Sequence, residues 1–110
     1  MKILVIGGDG FLGSHLVDAL MGSGNNVVVL DRFRNGVAKN LEHHRQNVKF
    51  LSGDLEVRED VCSALEGCQL VYLCWSATTP SSSWDEPYVE LDRNLKWQIQ
   101  LFALASAAGV

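Results

Sequence analysis

The sequence predicts an α/β domain built on a doubly wound parallel sheet, and three observations carry that expectation. Apolar runs of strand length recur at Ile3–Ile6, Val27–Leu30, Val48–Leu51 and Leu70–Cys74. Apart from Lys49 in the third, the runs are continuous rather than alternating, the pattern of a strand covered on both faces. Segments with helical spacing separate the runs and follow the last one, giving the order βαβαβαβα, which calls for right-handed crossovers between parallel strands. The 110 residues, 47% hydrophobic and 20% charged with two prolines, suffice for one such domain with a real core and argue against a disordered chain.

Taken in order, the first strand, Ile3–Ile6, leads straight into glycines and is too short for the ~7–15-residue apolar region of a signal peptide. A helix is expected from Phe11 to Met21, a second strand up to Asp31, and a helix over Val37–Gln46. The third strand is followed by a helix over Val57–Leu65. After the fourth strand, Thr78-Thr-Pro-Ser-Ser-Ser83 reads as a site loop, and a long helix runs from Glu86 to Ala108. At ~100° per residue, Leu91, Leu95, Ile99 and Phe102 share one face of that helix and Trp97, Leu101, Leu104 and Ala108 the nearly opposite one. One face can pack on the sheet; the other needs cover from further C-terminal sequence or from another subunit, so a homo-oligomer is expected.

The charge balance, nine Lys+Arg against thirteen Asp+Glu with no basic run, argues against nucleic acid or an anionic membrane as partner. No stretch reaches the ~18 apolar residues of a membrane span. Cys62, Cys68 and Cys74 are odd in number and form no C-x-x-C pair, which fits reduced core thiols in a cytoplasmic protein. His43 and His44 would diverge by ~100° on a helix, with no carboxylate or cysteine at ligand spacing, so no metal site is expected. Ser81–Ser83 and His15 lack the G-x-S-x-G elbow of a hydrolase.

The chemistry lies in Gly7-Gly-Asp-Gly-Phe-Leu-Gly13. Glycines at 7, 10 and 13 are weak evidence as a string, but here they follow a strand and open a helix, the context a dinucleotide-binding loop requires. One glycine permits a tight turn, one lets a pyrophosphate approach the backbone, and the third lets helix pack on strand. The phosphate charge then meets free N–H groups at the positive end of the helix dipole. Asp31 ends the second strand eighteen residues after Gly13. A carboxylate there can accept both hydroxyls of an adenosine ribose and repels a 2′-phosphate, which favours NAD over NADP, although Arg32 and Arg34 could accommodate that phosphate.

The glycine loop from Ile6 to Leu16, Asp31-Arg-Phe-Arg-Asn-Gly36, Phe50-Leu-Ser-Gly-Asp-Leu55, Val71 to Pro80, and Asn94 occur in an order that resembles the extended short-chain dehydrogenase/reductase superfamily. More narrowly, the chain is similar to its NAD-dependent nucleotide-sugar epimerase/dehydratase branch. The resemblance implies a Rossmann-type sheet of strand order 3-2-1-4, with a fifth strand absent from these residues, so that the fourth strand is left as an exposed, association-prone edge. It also implies that Gly7, Gly10, Phe11 and Leu12 line the pyrophosphate, with Gly13 closing the loop. Asp31, Arg32, Asn35 and Gly36 would then surround the ribose, and Asp54 and Leu55 frame the adenine. Cys74, Trp75 and Ser76 would pass beneath the cofactor, and Asn94 would support the site from below. Asp54 alone could equally cap the helix starting near Val57.

Three departures stand out. Asp9 brings negative charge into the phosphate loop and is tolerable if it points to solvent. Trp75 replaces a residue that is more often small. The family's chemistry rests on a Ser/Thr and a Tyr-x-x-x-Lys pair, yet Tyr72 and Tyr88 are followed four residues on by Ser76 and Asp92. Residues 1–110 are therefore expected to be the incomplete N-terminal cofactor-binding part of a longer enzyme, binding NAD without turnover, with the nucleotide-sugar site elsewhere. A free-standing nucleotide-binding regulatory module and a reductase of a non-sugar carbonyl are the alternatives.

Overall fold

In the computed structural model, which describes residues 1–33 and 39–110, four parallel strands form one sheet. They are β1 (Lys2–Ile6), β2 (Asn26–Asp31), β3 (Lys49–Ser52) and β4 (Leu70–Leu73), in spatial order β3-β2-β1-β4. The expected topology and the strand positions, to within a residue at each end, are borne out. Around the sheet lie α1 (Phe11–Gly22), α2 (Arg58–Leu65), α3 (Pro80–Asp85), α4 (Pro87–Val89) and α5 (Lys96–Ala107).

The period-2 geometry of β1 and β2 divides the core in two. Leu4, Ile6, Val28 and Leu30 face Val61 and Leu65 of α2 and Leu101 and Leu104 of α5. Ile3, Val5, Val27 and Val29 face Val17 of α1 together with Leu41 and Val48. Residues 3–6 and 27–30 are all buried, which explains their unbroken apolar run. The expectation of cover on both faces fails for β3 and β4. Lys49, Ser52 and Tyr72 are exposed and their neighbours only half-buried, because these strands are the two edges of the four-stranded sheet.

Two helical segments also depart from expectation. The helix over Val37–Gln46 is reduced, among the described residues, to a single 3₁₀ turn at Glu42–His44; residues 34–38 lie outside the described part. Between Lys39 and Gln46 only Leu41 is apolar, so no stripe exists to bind a longer helix to the sheet. Thr78–Ser83 is not a loop throughout. The Thr79 hydroxyl accepts the Ser82 N–H, the Ser82 hydroxyl accepts the Thr79 N–H, and Pro80 occupies the first helical position, so α3 starts there.

The long helix is interrupted as well. Pro87 starts a new turn, Glu90–Leu95 form a π turn, and α5 follows without a break. Its two faces separate as the spacing implied: Leu101 and Leu104 are buried and Trp97 packs against the same core, while Leu91, Leu95, Ile99 and Phe102 are exposed. Leu101→Ala should cost ~2–5 kcal/mol through lost burial and the cavity left behind. Ile99→Ala, three-fifths exposed, should stay within ~0.5 kcal/mol, as surface substitutions do. Urea denaturation at low protein concentration separates the two.

Candidate functional site

Parallel pairing brings the carboxyl ends of the strands to one edge of the sheet. Ile6 lies opposite Leu30 and Leu73, and Asp31 opposite Ser52. The ladder continues past the strands: Gly7 N–H donates to Leu30 O (2.8 Å), Cys74 N–H to Ile6 O (2.8 Å) and Gly53 N–H to Asp31 O (3.0 Å). The chain leaves β1 toward β2 on one side and returns to β4 on the other, so a crevice opens beyond β1, at the switch point where ligands bind in such sheets. A cleft of about 370 Å³ occupies it. Its walls are Gly7, Asp9 and Gly10, then Asp31–Phe33, Lys39 and Asn40, and Cys74–Ala77.

The turn from β1 into α1 leaves no space for side chains at Gly7, Gly8 and Gly13; a Cβ on Gly8 would lie 2.7 Å from Val29 Cγ1. Gly7 has φ +75°, and a Cβ there would lie 2.9 Å from the Cys74 carbonyl carbon and oxygen. A Cβ on Gly13 would lie 2.2 Å from Gly7 O, so the first turn of α1 rests on the loop itself. Gly10 stands at the N-cap without any side-chain cap, and the first turn carries no acidic residue. The first-turn N–H groups of an α-helix have no intrahelical acceptor, so this uncapped turn keeps donors for an anion. Phe11 and Leu12 are exposed at 84% and 69%, beside this turn rather than in the core.

Asp31 organises the opposite wall. Its Oδ2 accepts the Asp9 N–H at 2.9 Å and its Oδ1 the Arg32 N–H at 2.7 Å. Arg32 pairs with Asp54 Oδ2 at 2.7 Å, while its Nε is buried without a hydrogen-bond partner in the described structure. Asp9 does not turn to solvent as expected. Its carboxylate accepts the N–H groups of Lys39 (3.0 Å) and Asn40 (2.9 Å), and Asn40 Nδ2 returns a bond to Asp9 O (2.7 Å). The charge that looked misplaced in a phosphate loop thus ties the β2–β3 crossover to it. Nothing in the sequence signalled this role for Lys39 and Asn40, whose partner is thirty residues away.

Asp54 is not the cap of α2; Val57 holds that position, and no side chain caps the helix. Asp54 Oδ1 instead accepts the Glu56 N–H, and Asp60 reaches back to the Asp54 N–H. The Leu55 side chain, 1% exposed, belongs to the core beside Leu30 and Val61. Trp75 both packs on the core and lines the cleft. Ser76 is exposed and donates to Thr78 O. Asn35 and Gly36 lie outside the described residues.

Asn94 is buried in the π turn behind the cleft. Its Oδ1 accepts the Ala77 N–H (2.8 Å) and its Nδ2 donates to Thr78 Oγ1 (2.8 Å), which in turn donates to Glu90. Glu90 and Asn94, four residues apart, lie on one face of this helical segment and meet one threonine. The Thr78 hydroxyl, followed by Ser83 and Asn94, holds the Glu90 carboxyl below its ordinary range, so this bond set is intact at neutral pH and weakens on acidification. Burial pushes the Cys74 thiol up, which keeps it protonated and unreactive. The cysteines are otherwise mixed: Cys68 is buried as expected, whereas Cys62 is exposed.

A parallel sheet with a glycine loop, an uncapped helix and an acidic residue at its switch point defines a dinucleotide-binding domain of the Rossmann class. The chain belongs to the NAD-dependent epimerase/dehydratase family, whose model matches residues 3–110. It is 34% identical to UDP-glucuronic acid decarboxylase 4 of Arabidopsis thaliana over 99% of its own length, which is 24% of that protein. It is 41% identical to a bifunctional UDP-glucose and UDP-xylose 4-epimerase of Pisum sativum over 54% of the chain and 19% of the relative. Among solved structures, the Thermus thermophilus UDP-glucose 4-epimerase complex with NAD superposes with TM-score 0.84 at 30% identity, over all of this chain and 35% of that one. The Stenotrophomonas maltophila UDP-glucose-4-epimerase with bound NAD and formylated UDP-arabinopyranose gives 0.87 at 27%, over all of this chain and 34% of that one. The chain thus spans about a quarter of the length of the curated decarboxylases it matches.

Gly13→Ala should destabilise the fold by at least ~1–3 kcal/mol, because the clashing atom is backbone and cannot rotate away. Asn94→Ala strands the Ala77 N–H and should cost ~1–3 kcal/mol. Thermal denaturation followed by circular dichroism checks both.

Proposed function

We propose that residues 1–110 form the NAD-binding part of an enzyme that acts on a nucleotide sugar, and bind the cofactor without turning over substrate. The observation that carries the reading is the pairing of an uncapped α1 terminus, pressed by Gly13 onto the β1 turn, with the Asp31 carboxylate across the same cleft. The residues present fit a dinucleotide: the donors of the first turn suit a pyrophosphate, Asp31 suits ribose hydroxyls, and Arg32, whose Nε has no partner among the described residues, lines the same space.

In this reading the backbone of Gly7, Gly10, Phe11 and Leu12 holds the pyrophosphate. Asp31 binds the adenosine ribose, with Asn35 and Gly36 completing that end. Arg32, fixed by Asp54, flanks the adenine; Leu55 contributes backbone only, since its side chain is committed to the core. Cys74, Trp75 and Ser76 line the nicotinamide end, and Asn94 is a positioning residue that holds the Ala77 N–H behind it. NAD, when bound, supplies a hydride acceptor that can take hydride from a sugar carbon and return it. The chain carries no Tyr-x-x-x-Lys to move the accompanying proton, which supports binding without turnover.

The four-stranded unit is proposed as one NAD-binding domain that works with a substrate-binding part, and the exposed apolar face of α5 supports assembly into a homo-oligomer. Asp31 and its two backbone donors favour NAD over NADP. Calorimetry should detect NAD binding by the folded chain, weaker NADP binding, and no conversion of UDP-sugars. Asp31→Ala should weaken NAD by about 10- to 100-fold, the worth of hydrogen bonds to a charged group. A folded chain that shows no NAD affinity overturns the proposal.

A further inference from the structure

A second cluster of chemistry lies on the outer surface, sharing no residue with the cleft. Asp18, on the exposed side of α1, accepts two hydrogen bonds on one carboxylate oxygen, from His43 Nε2 at 2.6 Å and His44 Nε2 at 2.8 Å. The two imidazole rings stand with centroids 4.3 Å apart. One ligand atom from each of the three residues lies within 4.8 Å of the other two. The expectation that neighbouring histidines diverge, with no carboxylate near them, fails for a definite reason. Glu42–His44 form a tight 3₁₀ turn, and Asp18 on α1 sits where both long side chains reach it.

Two imidazole nitrogens and a carboxylate are a donor set for a borderline divalent ion, with bonds of ~2.0–2.2 Å, whereas Mg²⁺ and Ca²⁺ demand mainly oxygen ligands. A tetrahedral ion with such bonds separates its ligand atoms by about 3.3 Å. The two Asp18 contacts need to open by about 0.5–0.7 Å, the two imidazole nitrogens, within 4.8 Å of each other, need to settle at the same separation, and a cation would replace two donors crowded on one oxygen. The Asp18 and His43 side chains are 46% and 57% exposed and free to make that adjustment, while the less exposed His44, at 17%, anchors the turn. We propose that Asp18, His43 and His44 bind a divalent cation of the zinc class, with water in the remaining position.

The ion joins α1 to a crossover already tied at its other end by Asp9 to the glycine loop, with Leu41 buried between the two ties. Binding therefore stabilises the native chain, because the unfolded chain holds no preformed site.

Titration of the intact chain with Co²⁺ and Zn²⁺ tests the site without any dinucleotide, so its outcome is separate from the NAD reading. The expected result is uptake of one equivalent, a raised thermal midpoint, and a Co²⁺ visible spectrum of nitrogen and oxygen ligation. Mg²⁺ at the same concentration leaves the midpoint unchanged. Asp18→Asn, His43→Gln and His44→Gln each lose at least about tenfold in affinity, no less than the loss of a ligand's own supporting partner costs. His43 is exposed enough that His43→Gln keeps the fold and decides the matter even if His44→Gln does not. The proposal is overturned by no uptake, by affinity unchanged in His43→Gln and Asp18→Asn, or by thiolate charge-transfer absorption that places the ion on exposed Cys62.

Discussion

The contact on which the rest of the molecule depends is that of Gly13 with the carbonyl of Gly7. Only a hydrogen fits between them, and that closeness sets the start of α1 directly over the end of β1. A helix held there points its unpaired donors and its positive pole across the crevice at the switch point. Everything else at the cleft is arranged with respect to that turn. Asp31 fixes it from the β2 side through the Asp9 N–H, and the Asp9 carboxylate passes the constraint on to Lys39 and Asn40. The β4 side is set by the approach of Gly7 to Cys74, which leaves Trp75 and Ser76 as the opposite wall.

Stability is unequal across a chain built in this way. β1 and β2 are buried on both faces and joined to each other along their whole lengths, so they form the rigid floor. The pieces that line the cleft hang on polar links instead. Asp9 ties the crossover, Arg32 bridges to Asp54, and Asn94 ties the segment after β4 to the π turn. Such links are worth about 1 kcal/mol each when neutral and somewhat more when charged, whereas burying one large apolar side chain contributes about 1.5–3 kcal/mol. The floor is made by packing and the walls by directed hydrogen bonds.

How much of this is legible in the sequence follows from the range of the interactions. β1 and β2 are plain, because burial on both faces writes itself as a continuous apolar run, and the glycine loop is plain because its constraint is local. The single 3₁₀ turn at Glu42–His44 is less so: residues 37–46 suggest a helix, although Leu41 is the only apolar residue from 39 to 46. The start of α3 is in fact written in Thr79-Pro80 and Ser82, a capping pattern hidden by the serine-rich composition. The role of Asp9 is not legible at all. Its two acceptor oxygens serve amides thirty and thirty-one residues away, and nothing local distinguishes that from a solvent-facing carboxylate.

The β2–β3 crossover is where both acidic ties converge. A doubly wound sheet would normally cover that side with a helix, and among the described residues of the crossover a 3₁₀ turn and short polar ties are found instead. One end is bound by Asp9 to the glycine loop and the other by Asp18 to α1, with Leu41 fully buried between them. Residues 39 to 45 are held by one buried leucine and two carboxylates, so their position depends on these ties as well as on packing. A change at the Asp18 tie acts on the same short run of chain, residues 39 to 45, that supplies Lys39 and Asn40 to the cleft. The acidic residues that break the expected pattern of a phosphate loop and of a solvated helix face are therefore the ones that tie residues 39 to 45 to the glycine loop and to α1.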